Sequence, residues 1–478
     1  MASKKTLNVK NLEALGAKRL AELLIETSTG NAAAKRRLRL ELAGASGPEE
    51  ATKEIQKRLA TIARSRSFID WQNRKALLDD LETQRRAIVE QVAKADPIVG
   101  LDLMWRFMAL ANSIFERCDD SSGKVIDVFH SAAGDLGEIA QIAKVEPKSL
   151  AEQAFRALNE NGYGQYDSLI KILAPVLGKP GLAYLKQLIV ALSQERPSKP
   201  NKKDRVEVGW GSGGAIYADD LEESRRKSTV RHALMEIADA EGDVDAFISQ
   251  YSEEQRTFPR IASKIVERLI AAGRLEEAWD VVTAAKDSDR DWPDFDLDNA
   301  RIAVLEALGR TGEAQAVRWS CFERALSSSH LRAYLERLPD FEDVETEQRA
   351  LDYAMNYPSF LQALFFFVRW PAIDRAAELV TKRADKLDGD RYGVLTPAAE
   401  ALAGKYPLAA TLVLRAMIDF SLSNGRSSRY RHAARHFADC SGLASSIEDF
   451  APFEDHEAYA ARLRSDHGKK SSFWSLIN

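Results

Sequence analysis

The sequence has little that could build a disulfide framework or a membrane span. Its three cysteines, Cys118, Cys321 and Cys440, are odd in number and lie more than a hundred residues apart. That spacing argues against a disulfide framework and indicates a reducing compartment. The longest apolar run, Ala363 to Val368, is far shorter than the ~20 residues that cross a bilayer. We therefore expect no membrane association.

The chain also lacks a strong charge of either sign. Its formal net charge is −5 and its pI is near 6, so no overall attraction draws it to nucleic acid or to an anionic membrane. Only a local patch could carry such binding. The N-terminus continues into a charged helical pattern and has no apolar signal core. These features predict a cytoplasmic protein.

Glycine, proline and strand-type residues are scarce, and this scarcity favours helices. The 478 residues include only 26 Gly and 15 Pro, whereas 45% are apolar and 29% are charged. Alanine, leucine, glutamate, arginine and lysine recur in the pattern of amphipathic helices. The chain is too long for one compact core, so several domains or a repeat array are expected.

The helical pattern repeats as hairpins. The clearest copy is residues 259–285, two amphipathic helices that meet at Gly273. Similar turns follow one another roughly 30 to 36 residues apart, a spacing typical of stacked two-helix units. The predicted turns lie at Gly242, Gly273, Gly309, Pro339, Trp370-Pro371 and Gly404. An alanine five residues after the turn, at 183, 278, 314 and 409, should let the second helix approach the first.

The predicted fold is all-α: an irregular α-solenoid of helical hairpins, wound as a right-handed, tetratricopeptide-like superhelix. Residues 1–194 form an N-terminal helical array and residues 226–478 a C-terminal repeat array. Residues 195–225 are rich in glycine, proline and basic residues, so we expect a linker or long loop there. Its Gly209-Trp-Gly-Ser-Gly-Gly214 segment is not a phosphate loop, because Ala215 follows instead of a lysine.

Two segments carry resemblances to known families. Leu269-Ile-Ala-Ala-Gly273-Arg-Leu-Glu-Glu-Ala278 resembles the inter-helix turn of tetratricopeptide repeats. The tail from Tyr430 to Trp474, with its histidines and basic residues, resembles the C-terminal helical region of a bacterial family of unknown function. A related helical tail occurs in SWIM-type zinc finger proteins, but the Cys-x-Cys and Cys-x-His ligands of their zinc module are missing here. The resemblance implies a fold, and no zinc or nucleic-acid role follows from it.

The densest polar cluster lies within residues 426–440. The cluster contains Arg426, Arg429, Tyr430, Arg431 and Arg435, which are candidates for contact with a partner or an anion, and His432, His436 and Cys440. The last three follow at i, i+4 and i+8 of a helix, and two histidines and a thiolate could hold Zn²⁺. The alternative for the whole cluster is ordinary packing and a solvated helix face.

The sequence contains no nucleophile elbow, no His-Glu-x-x-His and no dinucleotide-binding Gly-x-Gly-x-x-Gly after a strand. We therefore expect a protein without enzymatic activity or a cofactor. The favoured function is a cytoplasmic scaffold or adaptor that binds a protein or peptide on its concave face. Two alternatives remain: nucleic-acid or anion binding through the basic helix 426–440, and a zinc-binding accessory protein.

Overall fold

A computed structural model gives the structure of the protein and describes residues 6–195, 205–211, 213–286 and 295–477. The described chain divides into two compact units, Met1–Ser252 and Glu253–Asn478. Almost all regular structure in it is helical, which confirms the predicted all-α fold. Within each unit, successive helices form hairpins that pack side by side.

The first unit contains twelve helices, a π-helical turn and a β-hairpin among the residues described. The helices are α1 Val9–Glu13, α2 Ala17–Ser28, α3 Ala32–Ser46, α4 Pro48–Arg64, α5 Arg74–Ala87, α6 Pro97–Met108, α7 Leu110–Phe115, α8 Lys124–Ala143, α9 Pro147–Asn159, α10 Leu169–Gln194, α11 Ala218–Glu241 and α12 Val244–Ile248. The π-helical turn is Ile88–Ala93, and the strands are β1 Glu207–Gly211 and β2 Gly214–Tyr217.

The second unit continues the helical series. Its helices are α13 Glu253–Arg256, α14 Pro259–Ala271, α15 Leu275–Ala284, α16 Asp296–Ala307, α17 Thr311–Ala325, α18 Ser328–Leu335, α19 Glu342–Met355, α20 Phe360–Arg369, α21 Ile373–Lys382, α22 Tyr392–Ala403, α23 Pro407–Ser423, α24 Tyr430–Ala444, α25 His456–His467 and α26 Ser471–Trp474. Short 3₁₀ turns cover Ala384–Lys386 and Ser427–Arg429.

The predicted break at 195–225 falls inside the first unit, so the division between the two predicted arrays differs from the observed one. Residues 196–204 and 212 lie outside the described residues. The others form the antiparallel β1–β2 hairpin and the start of α11, which packs along α10. Arg205 holds the base of the hairpin, since its guanidinium lies 4.0 Å from the centre of the Tyr217 ring and 2.9 Å from Asp219. The glycines that indicated a loop therefore belong to a hairpin.

The predicted turns lie between helices. Gly242, Gly273 and Gly309 adopt φ of +68°, +73° and +74°, a left-handed conformation that glycine reaches without steric cost. The other three turns separate α18 from α19, α20 from α21 and α22 from α23. The small residue after the turn is buried at Ala278, Ala314 and Ala409.

Replacement of Gly273 by alanine should destabilise the second unit by about 1 kcal/mol, because an L-residue in the left-handed region clashes with its own backbone. No atom surrounds the missing Cβ within 4 Å, so backbone strain alone sets the loss. Gly312→Ala, at the start of α17 and in equally open space, is the control and should not destabilise the protein. Urea denaturation of both variants measures the difference, and equal midpoints would contradict the prediction.

One helical stretch of the described chain, Pro97–Phe115, is long and apolar enough to cross a membrane by length and composition. The stretch consists of α6 and α7, and Leu103, Met104, Phe107 and Ile114 are fully buried among the other helices of the first unit. Burial in a helical core accounts for its composition. Pro97 begins α6, and Asp96 caps it by accepting hydrogen bonds from Ile98 and Val99 N–H at 3.1 Å.

Candidate functional site

Helix α24 carries most of the predicted cluster and divides it between two faces. Tyr430, His436 and Cys440 are buried, whereas Arg431, His432 and Arg435 are exposed. A step of four residues along a helix overshoots a full turn by about 40°. Over two such steps this rotation takes the side chain from the solvent at His432 into the core at Cys440.

The three candidate zinc ligands are therefore not brought together. The Cys440 thiol lies 3.9 Å from the carbonyl oxygen of Thr411, and burial raises its pKa to about 12, so no thiolate forms at neutral pH. Nowhere in the described chain do three His, Cys, Asp or Glu side chains form a group that could hold a metal ion. The geometry gives the zinc hypothesis no support.

All three thiols should be unreactive in the folded protein. Burial raises the pKa of Cys118, of Cys321 to about 11 and of Cys440 to about 12, and the thiolate is the reactive species. We expect Ellman's reagent to label less than one thiol per native chain and three after denaturation. Rapid native labelling of Cys440, located by mass spectrometry of the tagged peptides, would contradict its burial.

The predicted arginines also separate into two groups. Arg429 is part of the fold: it forms an ion pair with Asp390 at 2.6 Å, and its guanidinium lies 4.7 Å from the centre of the Tyr392 ring. Arg426, Arg431 and Arg435 are exposed and form no ion pair with any residue that the structure describes. These three arginines, and not Arg429, are available for a partner.

Beside α24 lies a groove that the sequence did not reveal. Helices α22 and α24 both pack closely on α23, yet they make few or no backbone contacts with each other. The space between them has a volume of about 570 Å³. Its lining residues are Thr396, Ala399, Glu400, Ala403, Leu414, Arg435, His436, Ala438, Asp439, Gly442 and Leu443. We call this space the α22–α24 groove.

Small side chains keep this groove open. Ala399 and Ala403 are one turn apart on α22, and Ala438 and Gly442 are one turn apart on α24. A Cβ at Gly442 would have no atom within 4 Å. Small residues at i and i+4 on two neighbouring helices are the signal that could have indicated the groove. That signal was missed because such pairs are equally typical of tight helix contacts.

His436 is the chemically unusual residue of the groove. Its side chain is 4% exposed, and its Nδ1 atom is buried without a hydrogen-bond partner. The nearest acceptor, Asp439 Oδ2, is 3.8 Å away, too far for a hydrogen bond. Burial lowers the pKa of His436, so the ring is neutral at pH 7. An unpaired buried polar atom destabilises the fold unless water or a ligand forms a hydrogen bond with it.

Stability should fall below neutral pH because burial lowers the pKa of His330, His436 and His456 from an ordinary 6.5. The unfolded chain then binds protons at a higher pH than the folded chain does. The stability present above pH ~6.5 is lost as the pH falls toward the folded-state pKa values. We expect a lower Tm at pH 5.5 than at 7.5, with a smaller difference in His436→Gln. His432→Gln, at an exposed position, should leave the pH difference unchanged, and an equal effect of both variants would contradict this prediction.

A second, larger cavity of about 710 Å³ lies on the opposite side of α23, against the loop before α25 and α25 itself. Arg415 is 6% exposed there and donates hydrogen bonds to the carbonyl oxygens of Glu454 at 2.7 Å and Asp455 at 3.2 Å. Tyr459 Oη donates to Asp419 at 3.0 Å, and Arg462 forms an ion pair with Asp419 at 3.2 Å. This network fastens α25 to α23.

The fold and the site together define the class: an all-α protein of stacked helical hairpins with an open groove between two helices of its second unit. Within that class, the chain belongs to the Family of unknown function (DUF6880), whose model matches residues 2–476. The predicted membership in a family of unknown function is thus confirmed. Because this match also extends over the tail, nothing supports the separate likeness of the tail to SWIM-type zinc finger proteins.

No curated protein matches the chain. A solved structure described as "Circular tandem repeat protein with novel repeat topology and enhanced subunit contact surfaces" is similar at 13% identity. The match covers 98% of this chain and 94% of the other, with a TM-score of 0.14. At that score the similarity supports no conclusion about fold or function.

Proposed function

We propose that the protein is a cytoplasmic adaptor without enzymatic activity that binds a peptide segment of a partner protein in the α22–α24 groove. The observation that carries this proposal is the groove itself, with the buried, unpaired Nδ1 of His436 in its wall. Grooves between stacked helices are the usual binding surfaces of helical-repeat proteins. The cytoplasm is favoured because Cys118, Cys321 and Cys440 are free thiols.

The dimensions and lining of the groove suit a short peptide. A volume of about 570 Å³ lies in the usual range of ligand pockets and holds a few side chains, not a folded domain. Ala399, Ala403 and Leu414 provide apolar surface, and Glu400 and Arg435 provide charged groups at its border. An apolar centre with a polar rim is the arrangement found where proteins bind one another.

The experiment is a selection from a random displayed peptide library against the full chain. Gly442→Leu should abolish recovery of the selected peptides, because Gly442 lines the groove and a Cβ there meets no atom within 4 Å, so the new side chain can fill the open space. Gly312→Leu on α17, also in open space, is the matched control and should retain binding. Equal melting temperatures of the two variants exclude unfolding as the cause. Failure to recover any peptide sensitive to Gly442→Leu would overturn the proposal.

Anion or nucleic-acid binding is the second candidate, favoured by one observation. Arg426, Arg431 and Arg435 are exposed without acidic partners among the described residues. Binding through these arginines would be electrostatic and would weaken steeply with salt. Filter binding with random-sequence single-stranded RNA at low and physiological salt tests this. The absence of binding at low salt would exclude it.

A further inference from the structure

The charges along the α22–α24 groove are separated by sign. Helices α22 and α24 begin side by side, since Tyr392 at the start of α22 lies 4.7 Å from the Arg429 guanidinium just before α24. Tyr392 also lies 6.4 Å from the His436 ring, centre to centre. The two helices therefore run parallel to each other along the groove. Positions early in both helices lie at one end of the groove, and late positions lie at the other.

Positive charge is concentrated at the early end. Arg435 lines the groove, and Arg431 lies one helical turn before it on the same side of α24. Both guanidinium groups are exposed and unpaired with respect to the described residues. The helix macrodipole of α24 is positive at this same end and adds to their attraction for an anion.

Negative charge lies about one helical turn further along the groove, before its late end at Ala403 and Leu443. Glu400 on α22 and Asp439 on α24 both line the groove and are both exposed. Glu400 forms no ion pair within the described ranges, and the neighbour of Asp439 is the neutral ring of His436 at 3.8 Å. Asp439 follows Arg435 by one turn, yet the two do not form an ion pair. The groove thus offers unneutralised charges of opposite sign about one helical turn apart.

Between the basic and the acidic residues lies a buried polar atom that a peptide backbone could pair. The His436 Nδ1 atom is buried in the wall without a partner, and a peptide backbone has an N–H and a C=O at every residue, either of which can bond a neutral imidazole nitrogen. Opposite it, Ala399 and Ala403 on α22 provide apolar surface and leave the groove open.

We infer that the α22–α24 groove binds an extended peptide segment in which an acidic and a basic residue flank apolar residues. The acidic side chain contacts Arg431 and Arg435, the basic side chain contacts Glu400 and Asp439, and a backbone group bonds His436. The inference rests on the proposed function and specifies its partner.

The helix geometry sets the spacing of the two charges. Arg435 and Asp439 are separated by about 6 Å along the helix axis, and Arg431 and Asp439 by about 12 Å. An extended chain rises about 3.3 Å per residue. The acidic and basic residues of the peptide should therefore be two to four positions apart.

The test uses capped synthetic heptapeptides in which one glutamate and one lysine flank two alanines, in both orders, with fluorescence anisotropy against the full chain. Replacing either charged residue by glutamine should weaken binding about threefold, the size of one exposed charge pair. In the Arg431→Gln, Arg435→Gln double variant the glutamate-to-glutamine change should have no further effect. In the Glu400→Gln, Asp439→Gln double variant, the lysine-to-glutamine change in the peptide should have no further effect on binding.

The two proposals fail in different ways. One result would overturn this inference and leave the adaptor function intact. It is the recovery of peptides that bind the parent protein, fail to bind Gly442→Leu and carry no such pair of charges. Equal binding of the mixed-charge and neutral heptapeptides would do the same. If neither the library nor the heptapeptides bind, both proposals fall.

Discussion

Replacement of Arg415 by alanine should destabilise the second unit by about 3 kcal/mol or more. The guanidinium donates to two carbonyl oxygens, at Glu454 and Asp455, and a hydrogen bond from a charged donor contributes about 1.5–3 kcal/mol. The truncation also leaves a void beneath Tyr459, whose ring centre lies 4.3 Å from the guanidinium. Arg435→Ala on the exposed side of α24 is the matched control and should stay within about 0.5 kcal/mol of the parent protein.

Hydrogen exchange locates this effect. Because Arg415 joins α23 to the segment before α25, its loss should accelerate exchange of the backbone amides in residues 450–463 more than elsewhere in the second unit. Arg415→Lys should give an intermediate result, since a single ammonium group cannot reproduce the fork of a guanidinium. Unchanged protection of residues 450–463 in Arg415→Ala would contradict the anchoring role.

Local features of the fold were predictable from the sequence. Gly273 and Gly309 mark turns because the left-handed conformation required there is a property of the single residue. Pro97 likewise marks a helix start through its own fixed φ and the cap at Asp96. Each of these inferences depends on residues within one or two helical turns.

Features that depend on how helices meet were not predictable. Arg415 bonds main-chain oxygens about forty residues away, and a carbonyl acceptor has no sequence signature. Ala183 matches the small-residue position of the repeat but is exposed, even though Gly178, with φ of +52° and ψ of −172°, interrupts α10 at the predicted turn. The α22–α24 groove exists because the two helices, both packed on α23, diverge beyond the contact of Tyr392 with His436, and the small residues lining it would equally suit a closed interface.

The cluster at 426–440 includes both a correct and a wrong prediction within one helix. The amphipathic pattern correctly separates buried Tyr430 from exposed Arg431. The prediction that His432 and Cys440 share one helix face is wrong, because a step of four residues is more than one full helical turn. His436 lies between these two positions and borders the groove, so it is the residue of this cluster that deserves mutation first.

A single methyl group at Gly389 should be as disruptive as a large truncation. The Cβ of an alanine there would fall on the carbonyl oxygen of Ala416 and close to Phe420 Cβ on α23. Backbone cannot move aside as a flexible side chain can, so the loop before α22 must shift, at an expected cost of about 1–3 kcal/mol. Gly393→Ala, in the first turn of α22 with no atom within 4 Å, is the control and should be neutral or stabilising.

This loop also connects stability with the proposed binding site. Residues 388–391 lead directly into α22, which forms one wall of the α22–α24 groove. A shift of the loop should therefore change the distance between α22 and α24, and Gly389→Ala should weaken the mixed-charge heptapeptides even at temperatures where the protein remains folded. Gly393→Ala should leave that affinity unchanged. A destabilised Gly389→Ala protein with full peptide affinity would show that the strain is absorbed in the loop and does not reach the groove.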